Sequence, residues 1–223
     1  FVFVIPTKAE YLPNVTTNFG SNTRLIKVNN IYYLAFASST GSDYNIYITT
    51  STNGVSDNWS TPVLAYSQML LANRDGNINA VFDFVYNSYD DFFGLAAFSS
   101  SSPYSLIYTT STNGLIWSSP ITVASGLTQT NPDLPHISYS STSNFVAINV
   151  SEKFYYSNTG VPDSWSTVNC PGSDFKVIGG FITGTDIDHI FHLVFYNTAS
   201  DELIYASSTN GISWTSSTID SGL

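Results

Sequence analysis

Charge is what this 223-residue chain has least of. Charged side chains make up 10% of it, against about 25% in an average soluble domain. The balance is acidic, 16 Asp and Glu against 6 Lys and Arg, for a formal net charge of −10. Only Arg24 and Arg74 are arginines. A surface that neutralises phosphates needs clustered bases, so nucleic acid is excluded as a partner. An anionic membrane surface is disfavoured for the same reason. No apolar run approaches the roughly 18 residues of a membrane span, and no membrane insertion is expected. The opening Phe1–Pro6 is apolar but lacks the basic flank and full-length apolar core of a signal peptide. A single cysteine, Cys170, excludes an internal disulfide and reads as an inert small residue, with no His nearby in sequence to activate it. Phosphate loops, paired-cysteine zinc patterns and dinucleotide fingerprints are missing, so no cofactor is expected. Segments with a helical hydrophobic period are missing too.

What the chain has instead is Ser, Thr, Asn and Tyr, with 43% hydrophobic residues, enough for a sizeable core. That mixture suits pleated surfaces and tight turns. It is also written in repeats. Ser111–Trp117 reads STNGLIW and Ser208–Trp214 reads STNGISW; Ser51–Thr61 reads STNGVSDNWST and Ser157–Thr167 reads SNTGVPDSWST. The four tryptophans, at 59, 117, 165 and 214, recur at a pitch of about 50 residues, that of propeller-type arrays. Each copy follows a strand-like run ending in or near Tyr. Asn-Gly at 53–54, 113–114 and 210–211 supplies the positive φ of a tight turn, and Thr159-Gly160 does so in the third copy. Two further apolar stretches precede each hairpin, so every unit reads as four short strands, A to D.

The expected fold is therefore all-β, a β-propeller of four-stranded antiparallel blades in one domain over 1–223. Blades are expected at about 18–66, 77–125, 134–170 and 174–220. Four blades are visible, and residues 1–17 leave open a closing strand or a fifth blade.

The motif Ser-x-Asn-Gly-x-x-Trp resembles the Asp-box, or BNR repeat, of sialidase-like β-propellers. Ser51, Ser111, Ser157 and Ser208 match its serine. Asn53, Asn113 and Asn210 stand where the family has Asp, Thr159 departs further, and the spacing from Ser to Trp differs by one residue. The resemblance implies a folding element on the hairpin between strands C and D, with the Trp packing the hairpin onto its blade. It also implies that a sialidase would need three converging arginines; with two in the whole chain, that activity is rejected.

Ligands of propellers usually bind the face formed by the D-to-A and B–C loops. The side chains expected there are Asp43, Arg74, Asp75, Tyr104, Asp133, His136 and Glu202, with His136 opening strand A of the third unit. Asn73–Asn79 has a calcium-loop rhythm but no distal bidentate Glu, and Asp186-x-Asp188-His189 reads as a turn, so no metal is expected. His192 reads as a strand residue with a satisfied ring. Two functions fit. The first is a non-catalytic recognition module, lectin-like or an adhesin, acting extracellularly or on a cell or virion surface. Its partner would be a glycan or a surface protein, gripped by aromatic and neutral polar groups, with an oligomer left open. The second is a propeller glycoside hydrolase. Its carboxylates would be Asp75, Asp133 and Asp174, which sit at comparable places in successive units and could converge near the axis, although a general acid, usually Glu, is missing from that ring.

Overall fold

The computed structural model describes residues 23–40, 43–55, 57–69, 71–74, 77–80, 82–100, 103–127, 135–140, 145–150, 153–169, 175–176, 190–197, 200–210 and 212–221. Among them there is no helix. The first sheet is β1 (Thr23–Val28), β2 (Ile31–Thr40), β3 (Asp43–Ser51) and β4 (Val63–Tyr66). A short hairpin follows, β5 (Leu71–Arg74) with β6 (Asn77–Ala80). The second sheet is β7 (Phe82–Asn87), β8 (Phe92–Phe98), β9 (Tyr104–Ser111) and β10 (Ile121–Leu127). The third is β11 (His136–Tyr139), β12 (Val146–Val150), β13 (Lys153–Ser157) and β14 (Ser166–Asn169). The fourth is β15 (Phe175–Lys176), β16 (Phe191–Asn197), β17 (Glu202–Ser208) and β18 (Thr215–Ser221). Each four-stranded sheet is an antiparallel meander in chain order, the blade of a β-propeller. The stretch expected as a plain D-to-A loop after the first blade carries the β5–β6 hairpin instead.

Local chemistry explains the hairpins. Asn29 and Asn30 both take positive φ, 48° and 63°, and join β1 to β2 where Val28 faces Ile31. Asn is the side-chain-bearing residue that best tolerates such a turn. In the repeated hairpins the Asn carboxamide oxygen accepts the turn's own N–H groups. Asn113 Oδ1 takes Leu115 at 2.9 Å and Ile116 at 2.8 Å, and Asn210 Oδ1 takes Ile212 at 2.9 Å and Ser213 at 2.8 Å. Asn53 Oδ1 takes Val55 at 3.1 Å. The serine that opens the motif accepts turn N–H groups as well, Ser51 Oγ those of Asn53 and Gly54, and the third copy keeps this arrangement without the Asn. Ser157 Oγ accepts the N–H of Thr159 and Gly160 and lies 2.6 Å from Ser164 Oγ, which donates to the Val161 carbonyl.

The core lies between the blades. Strand side chains alternate, so each inner blade supplies apolar groups to two seams. In β8, Phe93, Leu95 and Ala97 pack toward the first blade, and Ala96 and Phe98 toward the third. This two-sided burial is why FFGLAAF reads as an unbroken apolar run. The third seam is formed by Phe145, Ala147 and Phe154 with Phe191, Leu193 and Phe195. Strand β18 is exposed throughout, and its Ser- and Thr-rich sequence fits an outermost position.

The seams also receive the tryptophans. Trp117 packs on the core between the first and second blades, Trp165 on that between the second and third, and Trp214 on that between the third and fourth. Trp165 and Trp214 reach a ring of the preceding blade, Tyr108 at 5.3 Å and Phe154 at 5.2 Å, while Trp117 meets Phe84 of its own blade. Trp117 lies 6.1 Å from Phe84 and donates Nε1–H to the Gly114 carbonyl at 3.2 Å. Replacing Trp117 by Ala is expected to cost about 3 kcal/mol, the lower end for a large aromatic because this indole is half-buried. Urea unfolding with an unchanged m-value would show it.

Between the second and third blades the Tyr108 and Tyr139 hydroxyls meet at 2.7 Å. Burial pushes both phenols up, further aided for Tyr139 by its contact with Tyr108. Tyr86 is pushed up to about 12, chiefly by its hydrogen bond to Asp91. In the unfolded chain these groups ionise near about 10, so above that pH the folded state holds more protons than the unfolded one. Their stabilisation is complete below pH 10 and is lost as pH rises through the folded values. The melting temperature is expected to fall steeply above about pH 10, and less steeply in Tyr139→Phe, by calorimetry across pH 8 to 12.

Candidate functional site at the axis

In a four-stranded meander the A–B and C–D turns share one end, and the B–C and D–A connections share the other. Strand A of each blade therefore begins at the D–A end. The strands A of the first three blades, β1, β7 and β11, are in mutual contact through β7. Their first residues bring together three polar side chains from three blades. Arg24 is the second residue of β1, Asp83 the second of β7, and His136 the first of β11.

Asp83 is the hub. Arg24 Nε donates to its Oδ1 at 2.7 Å, and the Phe84 N–H donates to the same oxygen at 3.0 Å. The Ile137 N–H donates to Oδ2 at 3.1 Å, and His136 Nδ1 lies 4.0 Å from that oxygen. The side chains of Arg24, Asp83 and His136 retain 28%, 11% and 13% of their exposure, so the cluster is largely withdrawn from water yet open to it through Arg24. Strand A is the innermost of each blade and has a free edge of backbone donors toward the axis. Asp83 satisfies one such donor, that of Ile137, across a seam. A charge in this position needs partners, and one comes from each side.

The cluster brings in one of the residues expected from sequence, His136. Tyr104 opens β9, half-buried, at the B–C end of the second blade. Glu202 opens β17 at the same end of the fourth blade, held by Ser200 Oγ at 2.5 Å and by Thr218 Oγ1 at 3.4 Å. Asp43 opens β3 and Arg74 ends β5. Asp75, Asp133 and Asp174 lie outside the described residues, as do Cys170 and 186–189. His192 is a strand residue whose Nδ1 lies 2.6 Å from the Tyr205 hydroxyl. Sequence reasoning looked for the site in loops and passed over Arg24 and Asp83. The signal was an acid inside the apolar run Phe82–Tyr86 and a base one position into Thr23–Val28, charges that could not be buried unpaired.

No protein-family model matches the sequence, and no curated protein matches it. Among solved structures, the chain is similar to a thermostable family-43 glycoside hydrolase at 11% identity, with a TM-score of 0.51, covering 89% of this chain and 72% of that one. It is similar to a family 117 glycoside hydrolase produced by the marine bacterium Zobellia galactanivorans at 11% identity, with a TM-score of 0.50 and coverage of 89% and 68%. A bifunctional GH43-CE protein of Bacteroides eggerthii aligns over 95% of this chain at 12% identity and a TM-score of 0.49, and this chain spans 30% of its length. At these identities what is shared with the first two is the β-propeller fold.

Proposed function

We propose that this propeller acts on a glycan at the D–A end of its axis, as a glycoside hydrolase with Asp83 as a catalytic carboxylate. The observation that carries the reading is the convergence of Arg24, Asp83 and His136 from three blades on one partly open point. Structures of this fold among the solved relatives are glycoside hydrolases, which raises the standing of an enzyme over a plain binding module. Glycoside hydrolysis uses two carboxyl groups. The partner of Asp83 is proposed to be Asp133, three residues ahead of His136 in the chain, with Asp75 and Asp174 as the other members of the sequence-derived set. Arg24 and the Phe84 and Ile137 N–H groups would fix the Asp83 carboxylate in one orientation. The side of Oδ2 toward His136 would remain for a water or a sugar hydroxyl.

One observation favours a second reading, a lectin-like module without turnover. Asp83 already accepts three hydrogen bonds, which is what a purely structural carboxylate does. The two readings part on one experiment. Chromogenic arabinosides, xylosides and galactosides are assayed with the wild type, Asp83→Asn and Asp133→Asn. The hydrolase reading expects turnover that falls at least a hundredfold in both variants. No turnover on any glycoside, together with saturable glycan binding that survives Asp83→Asn, would establish the lectin-like reading in its place.

A further inference from the structure

Arg24 has more hydrogen-bond donors than the protein uses. A guanidinium carries five N–H groups and no acceptor. Nε donates to Asp83 Oδ1 at 2.7 Å, and Nη1 donates to the Thr23 carbonyl at 3.3 Å. Nη2 has no acceptor among the described residues. It is not shut away either. No atom of Arg24 is among the buried groups that lack a hydrogen bond, and the side chain keeps 28% exposure. Three N–H groups, two on Nη2 and one on Nη1, are thus left to water. They stand beside the carboxylate on which the axial site converges.

Those donors suit either a carboxylate or a pair of hydroxyl oxygens, and charge decides between them. A planar fork matches a carboxylate well. The Arg24 charge, however, is already compensated by Asp83 at 2.7 Å, inside a chain of net charge −10. Glycoside hydrolysis also needs a second carboxyl group about 5–10 Å from the first. Screening in physiological salt sets in over about 8–10 Å, so these charges act on one another nearly in full. An acidic sugar would meet one compensated cation and two acids. A neutral hydroxyl meets no such repulsion and still accepts a charge-assisted hydrogen bond. Parallel N–H groups on neighbouring nitrogens fit oxygens on adjacent ring carbons.

We propose that Arg24 binds the substrate directly, through two adjacent hydroxyls of a neutral sugar, and so sets a preference for neutral over acidic glycans. This inference rests on the axial reading given above and adds to it a binding residue and a substrate class. Nε stays on Asp83 while the Nη groups hold the sugar, so the first blade ties the ligand to the carboxylate of the second. A lysine could not do both, being a point charge without the fork.

The test pairs a change in the protein with a change in the sugar. Chromogenic arabinosides, xylosides and galactosides are assayed with the wild type and Arg24→Lys. Each is run beside its 2-deoxy and 3-deoxy forms, and the galactoside beside the galacturonide. In the wild type, loss of a bound hydroxyl should raise KM about tenfold with a smaller change in kcat, and the galacturonide should be the poorer substrate. Arg24→Lys keeps a cation for Asp83. It should raise KM for the parent sugar about tenfold and shrink the deoxy penalty to about twofold. A loosened blade seam would lower activity without changing which hydroxyl matters. Where turnover is absent, the same sugars are titrated by calorimetry, with Kd in place of KM. Neither turnover nor binding with any of them would sink the axial reading and this inference with it. Three results would overturn the role of Arg24 alone: no deoxy penalty in the wild type, a full penalty retained in Arg24→Lys, or a galacturonide accepted as well as the galactoside.

Discussion

Asp83→Ala is expected to destabilise the protein by about 3 kcal/mol and, on the proposed hydrolase reading, to abolish turnover. The change takes away one acceptor and strands three donors. The Ile137 N–H, which lies on the free inner edge of β11, loses the oxygen 3.1 Å away, and the Phe84 N–H loses its own. Arg24 keeps its charge in a largely covered position without a counter-charge. Breaking a fully buried pair from one side costs about 3–5 kcal/mol, and the 28% exposure of the Arg24 side chain places this case at the lower end, since water can partly solvate the guanidinium. Asp83→Asn separates the contributions. Its carboxamide oxygen can still accept from one donor, so the stability loss should shrink to about 1–2 kcal/mol, while any proton-transfer role is lost outright. Urea unfolding of the two variants, beside the glycoside assay, distinguishes a latch between blades from a catalytic group. A latch alone predicts Asp83→Asn with near-normal turnover.

The second large effect is at Gly94. Its backbone is ordinary β8 strand, with no positive φ, so the residue is small for lack of room. A Cβ placed there would land in the Tyr139 hydroxyl and 2.8 Å from the ring carbon that bears it. Tyr139 enters from the third blade, is buried, and is held by Tyr108 on one side and edge-on by Phe92 on another, so it has little freedom to retreat. Overpacking of this kind costs about 1–3 kcal/mol and occasionally more, and Gly94→Ala is expected to lie at about 3 kcal/mol. Because the clash is chiefly with the hydroxyl, Gly94→Ala combined with Tyr139→Phe should be less unstable than the sum of the two single changes by about 1 kcal/mol. Strict additivity in a double-mutant cycle would mean that Gly94 is small for some other reason.

The blades were legible in the sequence because every cue for them is short-range. Asn-Gly turns, alternating or unbroken apolar runs and a tryptophan a few residues past each glycine all act within about fifteen residues. Even the replacement in the third hairpin left a trace, Ser164 beside Trp165, although its role as a stand-in for the missing Asn emerged only from its 2.6 Å contact with Ser157. Where each tryptophan goes was not legible. A hairpin cannot specify whether its indole folds back on its own sheet or reaches the preceding one, since the choice depends on how adjacent blades are rotated against each other.

What the amino-acid order by itself determined is the repeating unit: four short antiparallel strands, the turn that joins the last two, and a surface poor in charge. What only the tertiary structure decided is which residues from different units meet. Arg24 and Asp83 are 59 positions apart, and Asp83 and Ile137 are 54. They touch because β1, β7 and β11 start at the same end of a common axis, just as Tyr139 of the third blade packs over Gly94 of the second. Such meetings arise from the radial stacking of whole sheets. No window of sequence shorter than a blade contains the information for them.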